Sequence, residues 1–317
     1  MMNRRAAILA GGAALLGGCA RKSRPRPAWE RSSVAILRAP SYEADLADII
    51  RRGAKECGLD VQGKRVLLKP NMVEFSRGTV INTDPRLVAA VMEVVKGLGA
   101  SEVTIGEGPG HRRDTLGMAE EAGYFAAIPG FEDRFVDLNR DDLGPVEHFG
   151  TLGRLWVPQT VLAADVIISL PKMKTHHWAG ATLSMKNYFG LVPGTLYGWP
   201  KNVLHHHGIS QSIVALARQF GPKSFAVVDG IVGMEGNGPI QGTPRKAGVI
   251  VIGRDLVAVD ATCCRVMGIG AEKVEYLDLA RGLGWVEEGR IGQRGERVEG
   301  VRTEFRLIPL WQGLQAS

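Results

Sequence analysis

The chain has 317 residues, 45% hydrophobic and 23% charged, ordinary proportions for a globular protein and enough for one large domain or two modest ones. Its formal charge of +6 is largely N-terminal, carried by Arg4, Arg5, Arg21, Lys22, Arg24, Arg26 and Arg31. The remaining body is weakly basic, which argues against nucleic acid as a partner. Four cysteines, Cys19, Cys57, Cys263 and Cys264, give neither a disulfide framework nor a CxxC metal spacing, so the adjacent pair reads as packing.

Residues 1–19 have the form of an export segment: Arg4-Arg5, an apolar run from Ala6 to Leu16, then Leu16-Gly17-Gly18-Cys19. The run is too short to span a bilayer. The closing tetrapeptide resembles a bacterial lipobox and the paired arginines resemble a twin-arginine signal, which together imply lipidation at Cys19 and anchoring on the periplasmic side of the cell envelope. Residues 20–33, rich in Pro, Arg and Ser, read as a tether, and 34–317 as the folded body.

Within the body, Val34 to Leu37 predicts a strand, Tyr42 to Cys57 a helix facing Leu46, Ile49 and Ile50 inward, and Arg65 to Leu68 a strand apolar on both faces. Thr83-Asp84-Pro85 starts a helix that runs from Arg86 to Leu98, and Val103 to Ile105 is the next strand. Met118 to Ala127 predicts a helix, Phe135 to Leu138 a strand, Gly144 to Val157 an irregular hairpin, and Pro158 to Ala163 a helix leading to strand Val166 to Leu170. Beyond these come helix Ile209 to Phe220, strand Ser224 to Val228, a glycine-rich loop from Gly233 to Thr243, strand Gly248 to Ile252, helix Leu256 to Met267 and strand Glu304 to Ile308. Strands alternating with helices predict an α/β fold, a mainly parallel sheet flanked by helices in one body or two closely joined lobes. Ligands of such sheets bind at the carboxyl ends of strands.

Chemistry-bearing residues follow those strand ends. Lys69-Pro70-Asn71 closes one strand, and Gly106 to Arg113, with His111 and Arg112, closes the next. The most concentrated stretch is Ala164 to Gly194, in which Lys172, Lys174, His176, His177, Lys186 and Asn187 follow an apolar strand. Lysines suit an anion, and adjacent histidines point differently, leaving one for proton transfer and one for structure. His205-His206-His207 suits a lid or adventitious metal binding. Asp229 at a strand end and Glu235 in the following loop suit a divalent cation or the orientation of the lysines.

The ordered segments VLLKPNMV, ISLPKMKTHHWAGATLSMKNYFGLVPG, VVDGIVGMEGNGPIQGTP and DLVAVDATCCRVMG resemble the DUF362 family, a domain of undefined activity, over roughly Val34 to Gly270. Some members carry a ferredoxin-like iron–sulfur module, but this chain lacks the CxxCxxC spacing and that cofactor is not carried over. A looser order of motifs is similar to the nickel-dependent lactate racemases. That resemblance implies substrate binding at Lys69, proton transfer at His111 and at His176 or His177, and a nickel-pincer nucleotide on Lys186. Ser184-Met185 in place of a glycine pair and Lys69 in place of an arginine argue against that nucleotide here.

The expectation is an envelope-anchored enzyme acting on a small, carboxylate-bearing anion, its reaction and cofactor unassigned. Lys69, Asn71, Arg112, Lys172, Lys174 and Asn187 would bind the substrate, and His111, His176, His177 and Lys186 would act on it. A non-catalytic lipoprotein that binds an anion or metal is the alternative. No protein partner is specified.

Overall fold

A computed structural model describes residues 30–110 and 114–316. The lipobox cysteine Cys19, most of the tether, and the expected site residues His111 and Arg112 lie outside the described residues.

The mixed sheet that organises the fold is assembled from both halves of the chain. The N-terminal half supplies β1 (Ser32–Arg38), β2 (Arg65–Pro70), β3 (Glu102–Glu107) and β4 (Phe135–Asp137). Strands β5 (Leu143–Phe149) and β6 (Gly153–Pro158) form a separate antiparallel hairpin. The main sheet continues with β7 (Val166–Leu170), β8 (Lys172–His176), β9 (Gly180–Thr182), β10 (Ser224–Asn237), β11 (Gln241–Gly253) and β12 (Ile291–Gly295). Its order is β12-β1-β11-β10-β7-β2-β3-β4, with β8 paired to β10 and β9. The run β10-β7-β2-β3-β4 is parallel throughout, whereas β11 is antiparallel to both neighbours, β1 and β10. The expected α/β architecture is therefore present as one continuous sheet.

The unbroken apolar runs are explained by two cores, one on each face. Val66 and Leu68 enter one core while Leu67 enters the other, and Ile168 and Ile167 divide in the same way. Helices α1 (Leu46–Glu56) and α2 (Pro85–Gly97) cover the first face. Both have the starts their sequences announce: the Asp45 carboxylate accepts from the Asp48 amide, and Asp84 caps α2 ahead of Pro85. The expected helix from Met118 breaks at Gly123, which adopts a left-handed conformation between α3 (Thr115–Glu121) and α4 (Tyr124–Ala127). After β6 come the short helices α5 (Gln159–Ala163), α6 (Gly194–Tyr197) and α7 (Asn202–His206). Helices α8 (Ile209–Phe220) and α9 (Leu256–Val266) cover the second face.

Two expectations about the C-terminal half need correction. The glycine-rich stretch from Gly233 is the outer part of a long β10–β11 hairpin, and its glycines mark close backbone approach: a Cβ on Gly233 would lie 2.6 Å from the Met173 carbonyl oxygen. The segment Glu304 to Ile308 is no strand, because its apolar alternation packs Phe305 and Leu307 inward without a ladder partner. The strand of this region is β12, which pairs parallel with β1.

Candidate active site

A cleft of about 570 Å³ opens where β2, β3 and β8 end, within the size range of small-molecule sites. It is built from the stretch expected to matter. Strand β7 delivers the chain to β8, the β8–β9 turn carries His177 and Trp178, and a 3-10 turn over Lys186–Leu191 brings Lys186 back to the same opening. The register of that last turn is held from behind by Asp260 of α9, whose carboxylate accepts from the Ser184 amide (2.8 Å), the Ser184 hydroxyl and the Met185 amide (3.1 Å). Asp260, fully buried, is thus a positioning residue for Lys186.

Six expected residues line the cleft: Lys69, Asn71, His176, His177, Lys186 and Asn187. Their bonding separates them. Lys69 is buried, and its ammonium donates to Glu107, to the Pro70 carbonyl (2.7 Å) and to Asn187 Oδ1 (3.1 Å). All three protons are spent on protein acceptors, so Lys69 forms the cleft floor rather than binding substrate. Asn187 is equally committed, accepting from Lys69 and donating to the Lys69 carbonyl and Ser169 Oγ. The ion pair leaves no room beside it: a Cβ on Gly190 would sit 2.0 Å from Glu107 Oε1, which explains the glycine there.

Lys186 is the opposite case. Half-buried, its Nζ stands 3.6 Å from the Phe189 ring centroid and has no hydrogen-bond or carboxylate partner among the described residues. Burial, with the Lys69 charge second, lowers its pKa to about 7. Nearby, Asn71 Oδ1 and Thr182 Oγ1 are buried without a partner among the described residues, and both residues line the cleft. Unpaired buried polar atoms are costly; these two are enclosed in the wall of the cleft.

The histidines divide by tautomer. His176 Nδ1 accepts from the Trp178 and Ala179 amides, at 3.0 and 3.1 Å, which places the proton of the neutral ring on Nε2. Burial, followed by the Lys186 charge, holds it well below the ordinary imidazole range. His176 is consequently a hydrogen-bond donor, and the expectation that it shuttles protons is corrected: its one basic nitrogen is occupied by backbone. His177 is the reverse. Its Nδ1 donates to the Gly238 carbonyl at 2.7 Å, so the lone pair of the neutral ring lies on Nε2. Of the later triplet, His205 lines the cleft with Nδ1 directed at the Lys201 carbonyl (3.2 Å), while His206 is exposed and His207 bonds Thr151.

Other expected residues lie elsewhere. Lys172 is buried against Asp229 (2.6 Å) and Tyr42 (2.8 Å), and Asp229 also accepts from Tyr42 and the Asp84 amide. Lys174, fully buried, donates to the carbonyls of Ile81 (2.8 Å) and Pro239 (3.4 Å). Neither lysine lines the cleft, because the β8 backbone turns their side chains into the protein, and their substrate-binding role is withdrawn. Asp229 orients a lysine, as one of its two expected roles required, but its oxygens are consumed. Glu235 pairs with Arg306 and approaches Arg245 instead, so the two carboxylates do not converge on a cation.

Sequence reasoning missed Glu107, Lys201, Trp178, Phe189 and Thr182. Glu107 was legible as a lone acid at the strand end beside Lys69, since β2 and β3 are parallel neighbours. Lys201 was not: it reaches the cleft through a left-handed backbone (φ 71°), and its Nζ donates to Asn139 Oδ1 (2.8 Å) and the Val192 carbonyl.

The cleft thus lies at the carboxyl ends of the sheet's parallel strands, the place where α/β sheets hold their ligands. Residues 66–265 match the model of the Domain of unknown function (DUF362), and the chain belongs to that family. The thylakoid-associated protein sll1697 of Synechocystis sp. (strain ATCC 27184 / PCC 6803 / Kazusa) is 29% identical over 260 residues, 80% of this chain and 79% of that protein. Among solved structures, the lactate racemase apoprotein from Thermoanaerobacterium thermosaccharolyticum aligns at a TM-score of 0.48 and 12% identity over 77% of this chain and 58% of that one. A protein from Thermotoga maritima aligns at 0.37 and 14% identity, over 78% of this chain and 61% of its own. This chain thus spans under two thirds of either solved protein. Among the described residues, no helix is long and apolar enough to cross a membrane.

Proposed function

We propose that the cleft binds a small carboxylate-bearing molecule and moves a proton on it. The observation that carries this is the set of uncommitted groups facing one cavity: the Lys186 ammonium, the His176 Nε2–H and the His177 Nε2 lone pair. Lys186 offers the anion a point charge. His177 Nε2 takes a proton from the carbon beside the carboxylate, and His176 Nε2–H and Lys186 face the oxygen on which the resulting charge collects. Return of the proton from His177 completes the cycle with no net redox change. The body would work at an envelope surface, held by lipidated Cys19; the thylakoid association in the name of the Synechocystis relative is in keeping with that location.

The test is deuterium exchange. The protein is incubated in D2O with a panel of small carboxylates, and label at the carbon beside the carboxylate is read by mass spectrometry. Exchange is expected in the wild type, absent in His177→Gln, and weakened through binding in Lys186→Met. Persistent exchange in His177→Gln, or a carboxylate that binds without exchanging, would refute proton transfer; undiminished binding to Lys186→Met would refute the anion contact.

A further inference from the structure

The cleft is far larger than a three-carbon acid requires. On the scale of a water's share of liquid volume, about 30 Å³, such an acid fills on the order of 100 Å³, against about 570 Å³ here. The excess has a definite chemistry. The polar groups already described gather at the buried end, where Lys69 and Glu107 are 1% exposed and His176 4%. Around that end the lining is mostly apolar, with Phe189 buried in it and Trp178, Pro200, Pro239 and Ile240 nearer solvent beside the polar Asn237 and Gln241.

Trp178 is the anomaly. It stands in the most buried stretch of the chain, yet is 55% exposed, which is unusual for an indole with no structural task. Its ring is fixed in place: His177 meets it at 4.5 Å between centroids and 75°, and His205 at 5.4 Å and 72°. His205 in turn meets Phe189 at 5.6 Å and 79°. A chain of edge-to-face contacts therefore runs from the exposed indole to the ring beneath Lys186, fixing the orientation of the indole relative to the ammonium.

From the fixed, exposed indole and the unpartnered ammonium of one cleft we infer that the ligand is an amphipathic carboxylate whose planar, aromatic-sized ring lies against Trp178 while its anionic end reaches Lys186. The inference rests on the anion-binding reading above and adds a ligand class to it. Trp178 is a specificity residue in this scheme, and the volume excludes the smallest hydroxy acids as a complete fit.

Titration calorimetry with three probes separates the two claims: 2-naphthoate carries ring and charge, propionate the charge alone, and 2-naphthamide the ring alone. The expected result is 2-naphthoate binding about tenfold tighter than propionate, the scale of one aromatic contact with its buried area. Trp178→Ala should bring the two acids within about threefold, and Trp178→Phe should keep most of the preference. Equal binding of the two acids to wild type, or an unchanged preference in Trp178→Ala, overturns the ring assignment. Equal binding of 2-naphthoate and 2-naphthamide, with the Trp178 dependence retained, instead removes the anion reading and leaves the ring assignment standing. Binding of phosphatidylglycerol vesicles that is lost in Trp178→Ala, with no response to any probe, would assign the indole to a membrane and also overturn the inference.

Discussion

Two adjacent histidines have opposite chemistry because the backbone offers one an amide pair and the other a carbonyl. His176 Nδ1 is fixed as an acceptor and His177 Nδ1 as a donor. The sequence shows the pair but cannot assign the tautomers, which depend on the Trp178 and Ala179 amides after β8 and on Gly238 in the distant β10–β11 turn. Nitrogen-15 NMR is expected to find His176 protonated only at Nε2 and still neutral as the pH falls through the ordinary imidazole value of 6.5, since burial and the Lys186 charge hold its pKa well below that. A titration of His176 at that ordinary value would contradict the geometry. Lys186 makes the complementary prediction. Its folded pKa of about 7 lies below the ordinary 10.5, so between those values the unfolded chain holds a proton that the native protein lacks, and native stability rises with pH across the window. Below about pH 7 both states are protonated and the burial penalty is complete. Lys186→Met should therefore raise the melting temperature most below pH 7, with the gain shrinking towards pH 10; a gain independent of pH would show that Lys186 is not desolvated as described.

At the level of elements, the important distinction is between lysines that face the cleft and lysines that hold it together. An apolar strand from Val166 followed by basic residues was legible, and so was its place at the carboxyl end of a parallel sheet, but not that Lys172–His176 is itself a strand. What the pattern could not convey is which way each lysine points, since this depends on partners from other elements: Glu107 on β3 for Lys69, Asp229 on β10 for Lys172, and main-chain carbonyls for Lys174. The Lys172–Asp229 pair, with Tyr42 and the Asp84 amide that starts α2, ties the first face of the sheet to β8 and β10. Lys172→Met would leave Asp229 buried and uncompensated, and urea denaturation should show a loss of about 3–5 kcal/mol. The double change with Asp229→Asn should recover much of that loss. A single-variant loss below about 1 kcal/mol would mean the pair is not desolvated in solution.

For the whole molecule, the sheet is a composite: its all-parallel run comes mostly from the first 170 residues, and the remainder from β1, β11 and β12, of which β11 is antiparallel to both its neighbours. Alternation of strands and helices was enough to read the α/β class, and the apolar runs revealed that both faces are covered. The long β10–β11 hairpin was hidden because its outer residues are glycines chosen for close approach to β8, which in sequence look like a loop. The consequence reaches beyond the site. Strand β1 is the first to be synthesised yet pairs with β11 and β12, and its Ser32 hydroxyl bonds Asp255, 223 residues away. Its ladder partners emerge near the end of synthesis, and pairing across such a separation is slow. The body therefore completes its fold only after nearly all of it has been made, so that until then the central strands must stay apart from other chains with their outer edge still unpaired.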